Sequence, residues 1–404
     1  MLTGVNVALG VTGSIAAVRT VELAHELRRR GANVRAVTTP SASSIVHPWS
    51  LEFATGADVV TEITGRIEHV ELCGEDGWAD VLLIAPATAN TIGKIAGAID
   101  DTPVTTCATT ALGAGLPVVV APAMHEPMYD HPGVLDAIET IDEWGVRFVD
   151  PRIEEGKAKI ADTDAIALEV ARATTDPVLA GTHVVVTSGA TAERIDPVRV
   201  LTNRSSGKMG RAVGRGCYVL GARVTLVHGV VGPGPFTGDA GGADASAIPG
   251  GDVRHVESAD EMRAATLDAV SEADAFVSVA AVSDYTVEPA SEKLRSGQER
   301  TLSLEPVPKL VDAVREAHPD LAIVGFKAET GGTDDDLVGA ARELRERVDA
   351  AFVVANDAGS MGADETRTLF VDASETREHA GSKAEIGVEV ARTLRTSIDA
   401  SSNE

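Results

Sequence analysis

Glycine and hydroxyl-bearing residues follow the first apolar stretch of the chain. The segment Gly10-Val11-Thr12-Gly13-Ser14-Ile15 leaves the apolar run Val5–Leu9 and leads into a helical pattern. Glycine permits close backbone approach, and the first turn of a helix offers free N–H groups with partial positive charge. The spacing therefore predicts a phosphate site at Gly13 and Ser14, although steric needs alone place Gly and Ser in many turns of this kind.

Hydroxyl groups also follow the second apolar run, Val34–Val37. Thr38, Thr39 and Ser41 come directly after it. Open α/β sheets bind ligands at the carboxyl edge of their strands. We therefore expect these hydroxyl groups to lie at a ligand-binding edge.

A single histidine, His69, lies in the segment Ile67-Glu68-His69-Val70-Glu71-Leu72, and Trp78-Ala79-Asp80 follows shortly after it. Histidine titrates closer to neutral pH than other side chains, which suits a general base. A lone histidine is more often a surface or structural residue. The residue type alone leaves both interpretations open.

The second half of the chain contains a long polar stretch between an apolar run and a helical pattern. It leaves the run at Thr187-Ser188-Gly189 and ends in Ser205-Ser206-Gly207-Lys208. A helix that begins with Ser, Gly and Lys is a plausible anion site. The spacing matches neither GxxxxGK[ST] nor GxGxxG, which excludes the two common nucleotide loops.

Short apolar runs alternate with helical stretches along the whole chain. Runs of this kind are typical of parallel strands that helices cover on both faces. The pattern restarts near Gly181, after the turn-rich stretch Thr174–Pro177, and the Gly-rich segment Gly232–Gly251 predicts an exposed loop. The sequence therefore predicts an α/β protein with two doubly wound parallel-sheet domains, residues 1–176 and 181–404. The runs that predict its strands are Val5–Leu9, Val34–Val37, Val81–Ala85, Val118–Ala121, Val184–Thr187, Val224–Val227, Phe276–Ala280, Ile323–Phe326 and Phe352–Ala355. In the first helical stretch, Ile15–Arg30, the predicted buried face is Val18, Val21, Ala24 and Leu27.

The composition is acidic and poor in lysine. The 404 residues carry a net charge of −26, and only eight of them are lysine. This balance is typical of a protein that stays soluble in very high salt, where charges are screened over about 3 Å. It predicts a halophilic archaeal source, with an ordinary acidic protein as the alternative.

The same composition excludes several function classes. A protein without a basic face is a poor nonspecific DNA binder. No uncharged run reaches the ~18 residues that span a bilayer, and the amino terminus lacks a charged leader, so we expect a cytoplasmic protein. Three widely spaced cysteines without a CxxC pair indicate neither a disulfide framework nor a zinc site.

Three motifs in the first half resemble those of the homo-oligomeric flavin-containing cysteine decarboxylases, and among them phosphopantothenoylcysteine decarboxylase. They are the TGSIAA turn, the PATANT loop at 86–91 and the PAMHEPM loop at 122–128. The resemblance implies a flavodoxin-like domain with bound FMN, and it places the essential histidine of the family on His69. The FMN contacts that it implies are Gly13, Ser14, Thr38, Ser41, Thr88, Asn90, Thr91 and Thr109.

The implied reaction needs a base because the substrate thiol must lose its proton while the flavin accepts a hydride from Cβ. The resulting thioaldehyde is an electron sink that lets CO₂ leave. His125 stands where many relatives have asparagine, and we expect it to retain substrate recognition. The lid cysteine of bacterial relatives is absent from the segment 154–159. Lys157 and Lys159 are candidate ligands of the substrate phosphate, with a solvated loop as the alternative.

The second half resembles phosphopantothenate–cysteine ligase. The stretch Asp196–Gly210 is similar to the family signature DPVRxxxNxSSGKMG, and further family segments follow in order up to Ala355-Asn356-Asp357. The resemblance implies a Rossmann-like domain that activates 4′-phosphopantothenate with CTP and Mg²⁺ as an acyl-cytidylate, which cysteine then attacks. Negative charge grows on the phosphates during this step, so a fixed cation beside them is required.

The ligase resemblance also implies individual roles. Lys293 matches the lysine of acyl-nucleotide formation, and Arg199 and Asn203 match residues that hold the intermediate. Asp284 is expected at the nucleotide or its Mg²⁺, and Phe326 at the base. Arg345 and Arg347 lie near, but not in register with, two phosphate-binding lysines of bacterial relatives. The full set expected at CTP is Asp284, Lys293, Pro308, Lys309, Leu310, Val311, Phe326 and Lys327.

Other readings remain open at this point. One keeps the flavin fold with different chemistry, as in a flavin prenyltransferase or a peptidyl-cysteine decarboxylase. Another is a flavoprotein that regulates partners or has only one of the two activities. The family resemblance further implies trimers of the flavin domain and dimers of the ligase domain, with small-molecule substrates.

Overall fold

The computed structural model describes residues 1–154, 156–229, 248–297, 299–331, 333–357 and 365–401. Contacts within the chain divide it into two compact units, Met1–Thr175 and Asp176–Glu404. Most of the loop expected at Gly232–Gly251 lies outside the described residues. Each unit is an α/β layer structure around its own sheet.

The first unit is built on a five-stranded parallel sheet with the strand order β2-β1-β3-β4-β6. All five strands are parallel, and the order in which the chain adds them reverses between β1 and β3, as in flavodoxin-like folds. Every residue of β3 is buried, which explains why this strand is a continuous apolar run. Strands of the first unit are β1 Asn6–Val11, β2 Asn33–Thr38, β3 Val81–Ala87, β4 Val118–Pro122, β5 Met124–His125, β6 Arg147–Phe148, β7 Arg152–Glu154 and β8 Lys157–Lys159.

Helices cover both faces of this sheet. One of them, α6, begins with Thr102 as N-cap, followed by Pro103, and Thr102 and Thr105 form a reciprocal capping box. Helices of the first unit are α1 Thr20–Arg29, α2 Pro40–Ser43, α3 Pro48–Thr55, α4 Glu68–Cys73, α5 Ala89–Ala96, α6 Pro103–Ala114, α7 Glu126–Tyr129, α8 Pro132–Glu143 and α9 Thr163–Ala173.

The first helical stretch differs from the expectation of one helix over Ile15–Arg30. It starts as a 3-10 turn, Ile15–Arg19, and continues as α1. The tighter turn changes the phase of the helix, so Ala17 and Thr20 are buried while Val18 is exposed. The prediction that Val18 belongs to the buried face is therefore wrong, whereas Ala24 and Leu27 are buried as expected.

The second unit contains an eight-stranded sheet with the order β13-β12-β9-β14-β17-β18-β19-β20. Its first six strands are parallel and follow the dinucleotide-binding order, with the reversal between β9 and β14. The α/β class with doubly wound sheets is thus confirmed. Strands of the second unit are β9 His183–Gly189, β10 Ala192–Arg194, β11 Val200–Thr202, β12 Arg223–Gly229, β13 Asp252–Val256, β14 Ala275–Ser278, β15 Tyr285–Thr286, β16 Glu305–Pro306, β17 Ala322–Glu329, β18 Phe352–Asp357, β19 Glu365–Val371 and β20 Thr376–Ser382.

Two features of this sheet were not predicted. The edge strands β19 and β20 form an antiparallel hairpin. Strand β14 stops at Ser278, two residues before the end of the apolar run, because the N–H groups of Val279 and Ala280 donate to the side-chain oxygen Thr187 Oγ1 and not to backbone carbonyls of the sheet. Helices of the second unit are α10 Lys208–Val219, α11 Ala259–Val270, α12 Leu310–Ala317, α13 Asp334–Arg347 and α14 Lys383–Ser401.

The three cysteines are free and buried. Cys73 at the end of α4 lies against Cys107 of α6 in the apolar core between these helices. A hydrogen bond with Cys107 and burial both raise the pKa of the Cys73 thiol far above its ordinary value.

Across the described residues, no helix combines the length and apolar character needed to cross a bilayer.

Candidate active sites

The carboxyl ends of β1 and β2 are in direct contact in the first unit. A Cβ atom placed on Gly13 would lie 2.4 Å from Ser41 Oγ, so only glycine fits at this position. Thr39 Oγ1 lies 3.0 Å from Ser41 Oγ. The turn after β1 and the turn after β2 therefore form one hydroxyl-rich edge.

The end of β3 joins the same edge through hydrogen bonds. Thr12 Oγ1 donates to the Pro86 carbonyl at 2.7 Å and accepts from Thr88 N at 3.2 Å. Thr88 caps α5, and its Oγ1 lies 3.0 Å from Thr91 Oγ1. These bonds fix the first helical turn of α5 beside the turn after β1, at the point where the strand order reverses.

A cavity of about 460 Å³ opens at this edge. Its volume lies in the usual range for small-molecule sites, about 300–1,000 Å³. Of the residues that the sequence assigned to FMN or catalysis, Gly13, Ser14, Thr88 and His125 line it. Ser14 Oγ donates to the Ala123 carbonyl at 3.1 Å, which ties the glycine turn to the loop that carries His125.

Four basic side chains line the same cavity: Arg19, Arg152, Lys157 and Lys159. Three of them come from a small antiparallel sheet with the order β5-β8-β7. In this sheet Lys157 is paired with His125 and Lys159 with Arg152, so these four side chains lie on one face. Among the described residues that line the cavity, none is Asp or Glu, so we call it the basic pocket of an otherwise acidic protein.

Sequence reasoning identified Lys157 and Lys159 but missed Arg19 and Arg152. Arg19 stands in the same turn as Ser14, one residue before α1, and this proximity to the predicted phosphate site is a signal that could have found it. Arg152 reaches the cavity only because β7 pairs with β8. It also forms an ion pair with Asp162 at 3.4 Å.

Five residues assigned to FMN are not in the cavity lining. Thr38 Oγ1 lies 3.0 Å from Ser43 Oγ, next to the edge but turned into the α2 turn. Ser41 is exposed and packs closely against Gly13. Asn90 is exposed on α5, and Thr109 is exposed on α6. Thr91 supports Thr88 and is buried.

His69 also lies outside the cavity of its own chain. It is the second residue of α4 and half-buried, and its Nδ1 atom is buried without a hydrogen-bond partner in the described structure. Ile67, which precedes α4 and lies two residues before His69, has φ = 51°. This left-handed conformation costs a β-branched residue about 1–3 kcal/mol. A strained residue beside an unpartnered imidazole is typical of a functional site rather than of a structural histidine.

Exposed apolar side chains lie beside His69 and in the lining of the cavity. Ile67 and Val70 on either side of His69 are 53% and 43% exposed. Ile15 and Met128, which line the cavity, are 78% and 49% exposed. Large apolar side chains clustered at two such places indicate contact surfaces.

In the second unit, the predicted anion loop lies at the carboxyl end of β9. Ser188 Oγ donates to the Gly207 carbonyl at 3.0 Å. Gly207 has φ = 69° and precedes α10, and a Cβ atom there would lie 3.0 Å from Gly189 N. The close packing holds the first turn of α10, the end of the helix with partial positive charge, against the strand end.

Asn203 connects this loop to the segment that follows β14. Its Nδ2 atom donates to the carbonyls of Ala281 and Val282, both at 3.2 Å. Ser283 N donates to Thr191 Oγ1 at 2.8 Å in the same region. The segments after β9 and β14 therefore meet at the reversal point of the sheet, as the nucleotide-site prediction requires.

Lys293 is exposed and lines a second cavity of about 660 Å³, formed by Ala290–Gly297 and Arg300. Arg199 Nη1 donates to the Leu294 carbonyl at 3.0 Å. Arg199 therefore contacts the residue that follows Lys293 in the sequence.

Asp284, the candidate Mg²⁺ ligand, forms an ion pair with Lys309. Over the described ranges, no cluster of three His, Cys, Asp or Glu side chains could hold a metal ion. Any Mg²⁺ here would therefore need most of its oxygen ligands from a nucleotide and water, which is how Mg²⁺ is usually held beside phosphates.

The remaining residues expected at CTP lie in the second half of β17, or just before and at the start of α12. Phe326 is half-buried, so it is not an ordinary core residue of β17, and Lys327 pairs with Glu329 at 2.8 Å. Pro308 and Lys309 are exposed, while Leu310 is buried and Val311 half-buried.

The suggested phosphate role of Arg345 and Arg347 does not agree with the geometry. Arg347 forms an ion pair with Asp312, and Arg345 donates to the Ala350 carbonyl at 3.5 Å. Both belong to the last turn of α13, which leads into the amino end of β18. They lie at the edge opposite to the one that carries the site.

Comparison with known proteins gives one result for each unit and one for the whole chain. Residues 1–175 match the family described as Flavoprotein, and residues 179–398 match the DNA/pantothenate metabolism flavoprotein C-terminal domain. The whole chain is 47% identical over 376 residues to the coenzyme A biosynthesis bifunctional protein CoaBC of Thermococcus kodakarensis, covering 92% of this chain and 89% of the relative. It is 33% identical over 404 residues to the protein of the same name from Methanocaldococcus jannaschii, covering 98% and 94%.

One solved structure carries the same name. The C-terminal domain of a coenzyme A biosynthesis bifunctional protein CoaBC is 26% identical, with a TM-score of 0.45, and the match covers 55% of this chain and 99% of that domain.

Proposed function

This chain belongs to the family of bifunctional coenzyme A biosynthesis proteins, and from that premise we propose how its two units divide the chemistry. The chain is a phosphopantothenoylcysteine decarboxylase and a phosphopantothenate–cysteine ligase. The observation that supports the division is that in each unit the candidate residues follow the two strands at which the sheet order reverses. The ligase unit acts first and supplies the substrate of the flavoprotein unit.

The first unit fits a flavin phosphate. The turn after β1 leaves no room for a side chain at Gly13, so backbone N–H groups and the hydroxyls of Ser14 and Thr88 can approach a phosphate closely. We assign FMN to this edge, where it supplies a hydride acceptor. His69 removes the thiol proton of the substrate, and His125 orients its carboxylate or amide from the cavity wall.

We assign the basic pocket to the substrate phosphate. Lys157 and Lys159 lie on the face of β8 that also presents His125 through β5, so one ligand can reach both the phosphate and the carboxylate contacts. A phosphate with two negative charges is a natural partner of a pocket that several cations line.

A Lys159→Gln substitution tests this assignment. We expect KM for 4′-phosphopantothenoylcysteine to rise about tenfold, because a charge-assisted hydrogen bond contributes about 1.5–3 kcal/mol and each 1.4 kcal/mol is tenfold. KM for the same substrate without its phosphate should stay within about twofold. Lys94→Gln, in which the replaced lysine pairs with Asp101 at 2.7 Å outside the cavity, is the control. An equal effect on both substrates would contradict the assignment.

We propose that the decarboxylase site is completed between copies of the chain. His69 lies outside the cavity of its own chain, and exposed apolar residues flank both His69 and the cavity. Association of these surfaces buries the apolar side chains and brings an imidazole to a neighbouring cavity. A trimer closes such a heterologous contact, and we assign a dimer to the ligase unit.

In the ligase unit, CTP with Mg²⁺ is assigned to the crevice between β9 and β14. Lys293 neutralises charge on the phosphates as the 4′-phosphopantothenate carboxylate attacks, and Asn203 and Arg199 hold the acyl-cytidylate for cysteine. Asp284 exchanges its partner Lys309 for the Mg²⁺ of the nucleotide, and Phe326 contacts the base.

A single assay tests both halves of the proposal. Incubation with 4′-phosphopantothenate, cysteine, CTP and Mg²⁺ should release pyrophosphate and then CO₂ from a yellow protein that contains FMN. A yellow protein that releases neither product would favour a regulatory role instead. Replacement of CTP by ATP in the same assay establishes the nucleotide preference.

We further propose a cytoplasmic enzyme that is adapted to molar salt. With a net charge of −26, self-repulsion should increase as salt is removed. We expect Tm and both activities to fall when KCl is lowered from molar concentration to ~0.1 M, where charges interact over about 10 Å. Sucrose should not replace KCl, because it does not screen charge. Equal Tm in dilute buffer and in molar KCl would refute the adaptation.

A further inference from the structure

Asp196 is a buried carboxylate in the ligase unit, in contact with the segment that carries Lys293. It lies in the loop between β10 and β11, which pair in an antiparallel hairpin. Its residue is 2% exposed. Oδ1 accepts hydrogen bonds from Val198 N at 2.8 Å and Arg199 N at 2.9 Å, which fixes the turn around Pro197.

The other carboxylate oxygen reaches a different part of the unit. Oδ2 accepts from Leu294 N at 3.1 Å and from the guanidinium of Arg199. The same Arg199 Nη1 donates to the Leu294 carbonyl. Asp196, Arg199 and the backbone of Leu294 therefore form a closed ring of hydrogen bonds beside Lys293.

The segment that carries Lys293 has little other support. Between Val287 and Leu304 the described residues form no helix or strand. Their hydrogen bonds are those of Leu294 with Asp196 and Arg199 and that of Ala290 N with the Ile195 carbonyl at 2.9 Å. All three end on the hairpin loop, on either side of Lys293.

The charge state of Asp196 agrees with this arrangement. Burial would raise its pKa, but the N–H groups of Val198, Leu294 and Arg199, together with the Arg199 charge, outweigh burial and lower the pKa below the ordinary value. The group is therefore a carboxylate at neutral pH, so it accepts at both oxygens.

We propose that Asp196 is a positioning residue for acyl-nucleotide formation: its carboxylate holds the Lys293 segment and the Arg199 guanidinium in one fixed relation. This inference rests on the proposed roles of Lys293 and Arg199. Asp196 is turned toward its own loop and toward Leu294 N, so it acts through these groups rather than on the substrate.

The test compares Asp196→Asn with Asp268→Asn in the full-length flavoprotein. Asp268 is exposed and pairs with Arg254 at 2.6 Å, so the control makes the same change away from the site. Pyrophosphate release from CTP and 4′-phosphopantothenate gives kcat when cysteine is present, and its burst without cysteine reports acyl-nucleotide formation alone. We expect kcat to fall about 100-fold in Asp196→Asn, since a 1 Å displacement of a reacting group costs about that much. KM for CTP should change by less than about threefold.

The rate of trypsin cleavage is a second measurement. If Asp196 only stabilised the unit, Tm would fall together with any increase in this rate. Loss of the Leu294 N contact should accelerate cleavage after Lys293 in native protein while Tm of the unit stays close to that of Asp268→Asn. Slow cleavage with normal kcat in Asp196→Asn would refute the inference.

If Asp196→Asn fails to fold, Leu294→Pro removes the same hydrogen bond from the donor side and leaves Asp196 in place. A large loss of kcat in this variant supports the positioning role, and normal kcat refutes it. An active Lys293→Gln variant would instead refute the proposed function. An inactive Lys293→Gln together with a fully active Asp196→Asn would refute only this inference.

Discussion

Replacement of His69 by asparagine should stop CO₂ release from 4′-phosphopantothenoylcysteine while pyrophosphate release from the ligase unit continues at the normal rate. A general base contributes about 10²–10⁴-fold, so we expect a loss of this size. Asparagine keeps a hydrogen-bonding side chain of similar size but cannot accept the thiol proton. FMN absorbance per chain should remain unchanged, because His69 does not line the cavity.

The matched control is His131→Asn. His131 accepts a hydrogen bond from Gly133 N at 3.1 Å as the N-cap of α8, and asparagine is an equally good N-cap. This variant should therefore retain both activities. Loss of flavin in His69→Asn, or normal CO₂ release, would contradict the assigned role.

Mixed oligomers show whether His69 serves a neighbouring copy. Co-expressed His69→Asn and His125→Ala chains are each inactive as decarboxylases. If His69 of one copy completes the cavity of another, random mixing should restore about a quarter of the sites, since each site draws on two chains of a closed ring. If His69 serves the cavity of its own chain, no activity returns, and the proposed shared site is wrong.

The sequence predicted the buried strands well because each is covered on both faces. β3 and β9 are fully buried, and a continuous apolar run has no other stable place in an α/β layer fold. Their ends were less predictable. A polar residue such as Asn33 can extend a strand when the backbone of the partner strand continues alongside it. The sequence of the strand itself does not show where its partner ends.

The edge strand β20 carries no such pattern. β20 alternates exposed and half-buried residues and contains charged side chains, as expected for an edge strand that must not pair with other molecules. A polar strand of this kind resembles a loop in sequence. The antiparallel edge of the second sheet could therefore be found only from the structure.

Residues in local motifs at strand ends were predictable, whereas residues brought in by pairing were not. Gly13 and Ser14 follow β1 directly, and both line the cavity as expected. Arg152 reaches that cavity through the pairing of β7 with β8, and Asp196 reaches Leu294 across 98 residues of sequence. A single sequence contains no local signal for contacts of this range.

A Lys293→Gln variant should lose pyrophosphate release from CTP and 4′-phosphopantothenate, with or without cysteine. Removal of one cationic or hydrogen-bonding group from a transition-state site costs about 10²–10³ in kcat. Glutamine keeps the length and polarity of the side chain but not its charge. Decarboxylation of supplied 4′-phosphopantothenoylcysteine should remain normal, because the flavoprotein unit is untouched.

The control is Lys383→Gln, which makes the same change at the start of α14 in the same unit. Lys293→Arg should recover part of the rate, because charge is restored with a different geometry. Chelation of Mg²⁺ by EDTA should stop the ligase in all variants and leave decarboxylation unaffected, which separates the metal requirement from the role of Lys293.

A rapid-quench measurement locates the step that Lys293 serves. Without cysteine, the wild-type protein should release pyrophosphate in a burst of about one equivalent per site and then stall, because the acyl-cytidylate waits for its amine. Lys293→Gln should show no burst. In the proposed role, Lys293 neutralises charge that develops on the phosphates as the carboxylate attacks, so its loss should act before the intermediate exists. A normal burst followed by slow transfer to cysteine would place Lys293 in the second step and contradict the assignment.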